Sequence, residues 1–152
     1  MFDLAYQKRE IQIYEHHVKY YETDQMAIVH HSNYIRWMEE ARMDFMEQMG
    51  FSYKQMEEVG IISPVLAVAC EYRNMVHFQD TVQIRTTVAA YNGIKLKIGY
   101  EMYNKETGEL TTIGTSSHCF LVDGKPVSLK RSYPDIDEIF LAYLEPHRLE
   151  TK

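Results

Sequence analysis

The stretch Tyr20-Tyr21-Glu22-Thr23-Asp24-Gln25-Met26-Ala27-Ile28-Val29-His30-His31-Ser32-Asn33-Tyr34 decides how this chain is read. It gathers Asp24, two imidazoles, short polar residues and aromatics, and an amphipathic pattern begins where it ends. That order predicts a reactive carboxylate in a loop facing a helix N-terminus. Backbone N–H groups at such a terminus take up developing negative charge.

Outward from the stretch, a helix is predicted over 33–49. Ile35, Met38, Ala41, Arg42, Phe45 and Met49 fall near a 3.6-residue spacing, and Trp37 widens the stripe. Ser32 or Asn33 suits the N-cap and Gly50 the position just past the end. Ser52 and Gln55 have capping-box spacing for a short helix at 53–59, ended by Gly60. Upstream, residues 11–20 read as a strand. After Pro64 the period becomes two: Val82, Ile84, Thr86 and Val88 share one face, as do Ile94, Leu96, Ile98, Tyr100 and Met102. Asn92-Gly93 predicts a two-residue hairpin turn. A long strand is expected from Leu110 to Val122, ended by Asp123-Gly124, and a short helix near 134–144. A strand, a long helix and then four antiparallel strands make an α+β fold in which the helix buries its stripe against one sheet face.

With 152 residues, the chain suits one domain spanning 1–152. Twelve Tyr and nine Met fit irregular cores and interfaces as well as ligand pockets, aromatic or aliphatic. A net charge of −6 argues against generic nucleic-acid binding, which needs a basic footprint. The excess acid is concentrated in residues 1–62, so an anionic ligand would be met by bases of the second part. Cys70 and Cys119 lie in apolar, strand-like context and are expected as a reduced, buried pair. Met1–Glu10 has no long apolar run and no stretch approaches a membrane span, so a cytoplasmic protein is expected, with no membrane insertion.

The run from Val18 through Tyr34, continuing to Trp37, Glu40, Ala41 and Arg42, resembles the 4-hydroxybenzoyl-CoA thioesterase family of acyl-CoA thioesterases. Glu71-Tyr72-Arg73, Phe78-Gln79-Asp80 and Asp123-Gly124-Lys125-Pro126 follow that family's layout, so the likeness covers roughly residues 10–132. The resemblance implies the hotdog fold, an antiparallel sheet wrapped around one long helix. It also implies cofactor-free hydrolysis of an acyl-CoA thioester in a homodimer or homotetramer with sites at subunit interfaces.

Carried over residue by residue, Asp24 matches the catalytic carboxylate, as nucleophile or as general base for water. A carboxylate is a weak nucleophile unless desolvated, so packing of its loop against Ile28 and Val29 is expected. His31 matches the position whose backbone N–H polarises the thioester carbonyl, and Tyr20 a third position linked to catalysis in one branch. Asn33 and Tyr34 belong to the same signature, and His30 is a structural or pocket-lining position. Arg73, Lys125, Lys130 and Arg131, with Lys95 and Lys97, are candidate partners for the phosphates of CoA.

Ala27 departs from the pattern, which usually has glycine there, and this constrains the loop. Glu39 and Glu40 on the long helix are alternative bases or exposed i, i+4 partners of neighbouring charges. No metal is expected: His30 and His31 are adjacent, so in extended chain their rings point apart, and no i, i+4 His pair or Cys cluster accompanies them. Two other readings stand beside hydrolysis of acyl-CoA: a thioesterase acting on acyl groups of acyl carrier protein, and a non-catalytic acyl-CoA-binding module.

Overall fold

Alternating burial builds the sheet. Leu96, Ile98, Tyr100 and Met102 point inward from one strand, and Val82, Ile84 and Val88 from its neighbour. In the computed structural model, which describes residues 6–146, the order is β1 (Tyr14–His17), a 3-10 turn (Tyr20–Glu22), α1 (Ser32–Met49), α2 (Tyr53–Glu58), β2 (Val65–Tyr72), β3 (Thr81–Tyr91), β4 (Lys95–Asn104), β5 (Leu110–Cys119), β6 (Leu121–Val122), β7 (Lys125–Pro126), α3 (Leu129–Ser132) and α4 (Pro134–Ala142). The expected domain limits of 1–152 extend beyond the described residues at both ends.

Five strands form one antiparallel sheet in the order β1-β3-β4-β5-β2, and β6 and β7 form a separate hairpin. α1 lies across one face, touching β1, β2 and β3. It buries Trp37, Met38, Ala41, Phe45, Met46 and Met49 there. Each large side chain removed from water contributes about 1.5–3 kcal/mol. Close approach needs Gly114 of β5, where a Cβ would sit 2.8 Å from Met38 Sδ and 3.3 Å from the Ala69 carbonyl oxygen. α4 packs Ile136, Ile139 and Phe140 against the same core, with Phe140 beside Tyr91 and Phe120.

Several local expectations shift. β1 covers only Tyr14–His17 of the expected 11–20; the Val18 N–H to Asp80 carbonyl bond (3.0 Å) adds one step in the same register before the chain turns at Tyr20–Glu22. Ile35, placed on the buried stripe by spacing, is exposed, and Asn33, Tyr34 and Met46 take up the buried face with the rest. The β3–β4 turn is displaced by one residue: the Asn92 N–H bonds to the Lys95 carbonyl across Gly93 and Ile94, and Asn92 Oδ1 accepts from the N–H groups of Ile94 and Lys95. The strand expected to reach Val122 breaks at the fully buried Phe120, and Leu121 turns away to bridge Ile62. Cys70 and Cys119 are separate, half-buried thiols, with Cys70 Sγ 3.4 Å from Met38 Sδ. Gly50 (φ 95°) ends α1 in the left-handed conformation, and the Ser52–Gln55 capping box opens α2 as expected.

β2 is the outer strand on one side of the sheet. All eight of its residues are exposed or half-buried, and Val65, Leu66, Val68 and Tyr72 are its large exposed apolar side chains.

Candidate active site

Asp24 opens a tight loop whose shape its own side chain sets. Its Oδ1 accepts the N–H groups of Met26 (2.8 Å) and Ile28 (3.3 Å), as a short Asp side chain does in turns. Backbone bonds join the Asp24 N–H to the Ile28 carbonyl (2.9 Å) and the Ala27 N–H to the Asp24 carbonyl (3.0 Å). Ala27 sits at φ 61°, in the left-handed region. The loop therefore demands the conformation glycine adopts freely, and alanine adopts it under strain. Asp24 Oδ2 makes no hydrogen bond among the described residues. Val29 is buried and Ile28 half-buried, but Asp24 itself is exposed, so a single chain does not supply the expected desolvation.

The chain then re-enters the core and starts α1. His31 is the N-cap residue, already in helical conformation, and its side chain caps nothing. The capping expected of Ser32 or Asn33 falls instead to His30, whose Nδ1 accepts the Ser32 N–H (3.2 Å). Asn33 is buried, and its amide donates to the carbonyls of Glu22 (2.9 Å) and His30 (3.3 Å). The His31 carbonyl accepts from Tyr72 Oη (3.1 Å), while its N–H has no partner among the described residues. The rings of His30 and His31 stack at 4.2 Å, rather than pointing apart, because His31 is helical and not extended. Among the described residues, no group of three or more His, Cys, Asp and Glu side chains is placed to hold a metal ion.

Asp24, His30, His31 and Tyr34 line one cleft of about 370 Å³. Its other wall is the end of β2 and the residues after it: Tyr72, Arg73, Asn74 and Met75. Tyr34 and Tyr72 meet edge to face at 4.9 Å. Burial pushes both phenols up to about 12, so both remain hydrogen-bond donors at neutral pH. Arg73 Nε is 2.6 Å from Glu71 Oε1 in an exposed ion pair.

The remaining sequence candidates lie elsewhere. Tyr20 is exposed and packs edge-on against Phe78 (5.4 Å), outside the cleft lining. Lys125 lies on β7, and Lys130 and Arg131 on α3; none lines this chain's cleft. Glu40 accepts the Tyr14 hydroxyl (2.9 Å) and approaches His16 (3.3 Å) instead of pairing along its own helix. Tyr72, Asn74 and Met75 were not singled out by sequence, although the triad Glu71-Tyr72-Arg73 marks the place. Glu22 was missed as well, because an acid beside Tyr21 and Thr23 in a loop carries no sequence sign of its burial.

Residues 18–139 match the family model described as the thioesterase-like superfamily. The chain belongs to that superfamily. It has the hotdog fold, with the five-stranded sheet laid against α1. A relative from Bacillus subtilis, named "Putative acyl-CoA thioesterase YneP", is 40% identical over 131 residues, covering 84% of this chain and 90% of the relative. The crystal structure of a DHNA-CoA thioesterase from Staphylococcus aureus superposes with a TM-score of 0.80 at 36% identity, covering 86% of this chain and 88% of that one. A 1,4-dihydroxy-2-naphthoyl-CoA thioesterase from Synechocystis shares the fold, with a TM-score of 0.75 at 17% identity over 85% of this chain and 94% of that one. No helix among the described residues is long and apolar enough to cross a membrane.

Proposed function

We propose that this protein hydrolyses an acyl-CoA thioester, with Asp24 and the His31 N–H as its reacting pair. One observation carries this reading: a carboxylate oxygen and a backbone N–H, both without partners among the described residues, belong to residues that line the same cleft. The names of the relatives support the acyl-CoA substrate class. As the carbonyl carbon becomes tetrahedral, negative charge grows on its oxygen, and the His31 N–H at the mouth of α1 stabilises it. The Asp24 oxygen either attacks the carbon directly, expelling the CoA thiolate and leaving an anhydride that water cleaves, or removes a proton from the attacking water. Both routes yield a free carboxylic acid and CoA. Arg73, on the cleft wall, and Lys125, Lys130 and Arg131 are the bases for the phosphates of CoA.

The working unit is a homodimer or larger assembly joined through β2. An exposed eight-residue edge strand, uncharged from Val65 to Cys70 and without proline, invites a second strand. Tyr72, Arg73 and Asn74 continue from that edge into the cleft, so a partner seated there shields Asp24 from water.

Steady-state kinetics with a panel of aryl- and alkyl-acyl-CoAs, for wild type and Asp24→Asn, test the reading. At least one thioester is cleaved by wild type, and Asp24→Asn loses about 100-fold or more in kcat. Absence of any cleavage, or a fully active Asp24→Asn, overturns it.

A further inference from the structure

We propose that Glu22 is a positioning residue for this hydrolysis, setting the separation of the Asp24 carboxylate from the His31 N–H. The inference rests on the reading of Asp24 and His31 given above. Glu22 is 5% exposed and carries three donors on its carboxylate. Oε1 accepts from His16 Nε2 (2.9 Å) and the Lys19 N–H (2.8 Å), and Oε2 from Trp37 Nε1 (2.8 Å). Its own carbonyl accepts the His30 N–H (2.9 Å) and Asn33 Nδ2 (2.9 Å). Burial pushes the carboxyl up, but the hydrogen bonds from His16, Lys19 and Trp37 outweigh it and hold the acid below the usual carboxylate range.

A buried carboxylate is expensive, and an apolar side chain of similar volume fills the same space without that cost. What an apolar side chain lacks is direction. The partners of Glu22 belong to the segments that deliver the reacting groups. Lys19 begins the turn that ends two residues before Asp24. Trp37 belongs to the first turns of α1. His30 precedes His31, and Asn33 locks the start of the helix. One residue thus fastens the strand-side and helix-side ends of the site.

His16 is fixed in turn. Its ring lies on Trp37 (centroids 4.6 Å apart), and its Nδ1 is 3.3 Å from Glu40 Oε1, which takes the Tyr14 hydroxyl. An ionised Glu22 only accepts, so Nε2 of His16 holds the proton between them. Neither Glu22, His16 nor Trp37 lines the cleft, so their effect on the reaction passes through the groups they hold.

In Glu22→Gln the amide places N–H donors against the donors of Trp37, Lys19 or His16, and the loop must shift. A displacement near 1 Å costs about 100-fold in rate. Trp37→Phe keeps an aromatic side chain on α1 and removes the indole N–H together with the volume of the pyrrole ring, so circular dichroism and thermal unfolding of this variant accompany its kinetics. The test is steady-state kinetics of wild type, Glu22→Gln, Trp37→Phe and Asp24→Asn on the best thioester of the panel, with circular dichroism of each. Glu22→Gln is expected to lose about 10- to 100-fold in kcat with KM within about twofold, and Trp37→Phe a smaller part of kcat with the same split. Where Glu22→Gln does not fold, Trp37→Phe carries the test. A folded Glu22→Gln with wild-type kcat, or a loss confined to KM, overturns the proposal. So does an unfolded Glu22→Gln beside a Trp37→Phe of unchanged kcat. Inactive wild type or active Asp24→Asn defeats the functional reading itself. Inactive Asp24→Asn beside fully active Glu22→Gln defeats only the positioning role.

Discussion

Replacing Ala27 with glycine should stabilise this protein, against the usual sign of an Ala→Gly change. Ala27 sits at φ 61°, where an L side chain brings its Cβ against the following carbonyl at a cost of about 1–2 kcal/mol. Glycine removes that strain but loses about 0.5–1 kcal/mol more backbone entropy on folding. The methyl group is exposed, so no burial is lost. Both backbone hydrogen bonds of the residue, to the Asp24 carbonyl and from the Phe78 N–H, survive the change. The net is a gain of about 0.5–1 kcal/mol. In urea unfolding at one protein concentration with unchanged slope, the midpoint rises by about 0.3 M. Ala90→Gly is the control. Ala90 is exposed on β3 without a positive φ, so its replacement lowers stability by about 0.5–1 kcal/mol. If both glycine variants move the midpoint downward together, the strain assigned to Ala27 is absent.

Other outcomes follow from particular contacts. Gly114→Ala drives a Cβ to 2.8 Å from Met38 Sδ, and thermal unfolding should show a loss of about 1–3 kcal/mol from overpacking. His118 is fully buried, and burial depresses its imidazole to about 4 from an ordinary value of 6.5, so the unfolded chain binds the extra proton between those values. Its contribution is fully present above about pH 6.5 and is lost as pH falls toward 4, on the order of 3 kcal/mol in all. Chemical unfolding of His118→Gln across that range should lack this part of the acid slope. Val68→Lys places a charge on the open face of β2, and sedimentation should show loss of self-association.

Much of this architecture is legible in residue order because local chemistry and packing agree. Gly50 and the Ser52–Gln55 box set helix ends by backbone geometry alone, and the alternation of Leu96 to Met102 carries straight into the core. Ile35 fails because the sheet covers only part of α1, and spacing alone does not say how far a sheet extends. The β3–β4 turn shifted because Asn92 uses its side chain to cap Ile94 and Lys95, a choice that composition leaves open. In the site, Asp24 and His31 stand together in sequence and in space. Tyr72 and the wall after it arrive from forty residues away, which only the pairing of β2 with β5 brings into reach. Glu22 is hidden for another reason. Its importance comes from burial, and an acid in a loop normally signals solvent.

The open edge of β2 also bears on how the chain survives its own synthesis. In the assembly proposed through β2, a newly folded protomer that has not yet met a second copy presents an uncharged, proline-free run from Val65 to Cys70 that any extended chain can extend by hydrogen bonding. Pairing with its own kind is then a race against pairing with strangers. Protein concentration, which sets the speed of the first, becomes a determinant of how much intact protein a cell retains.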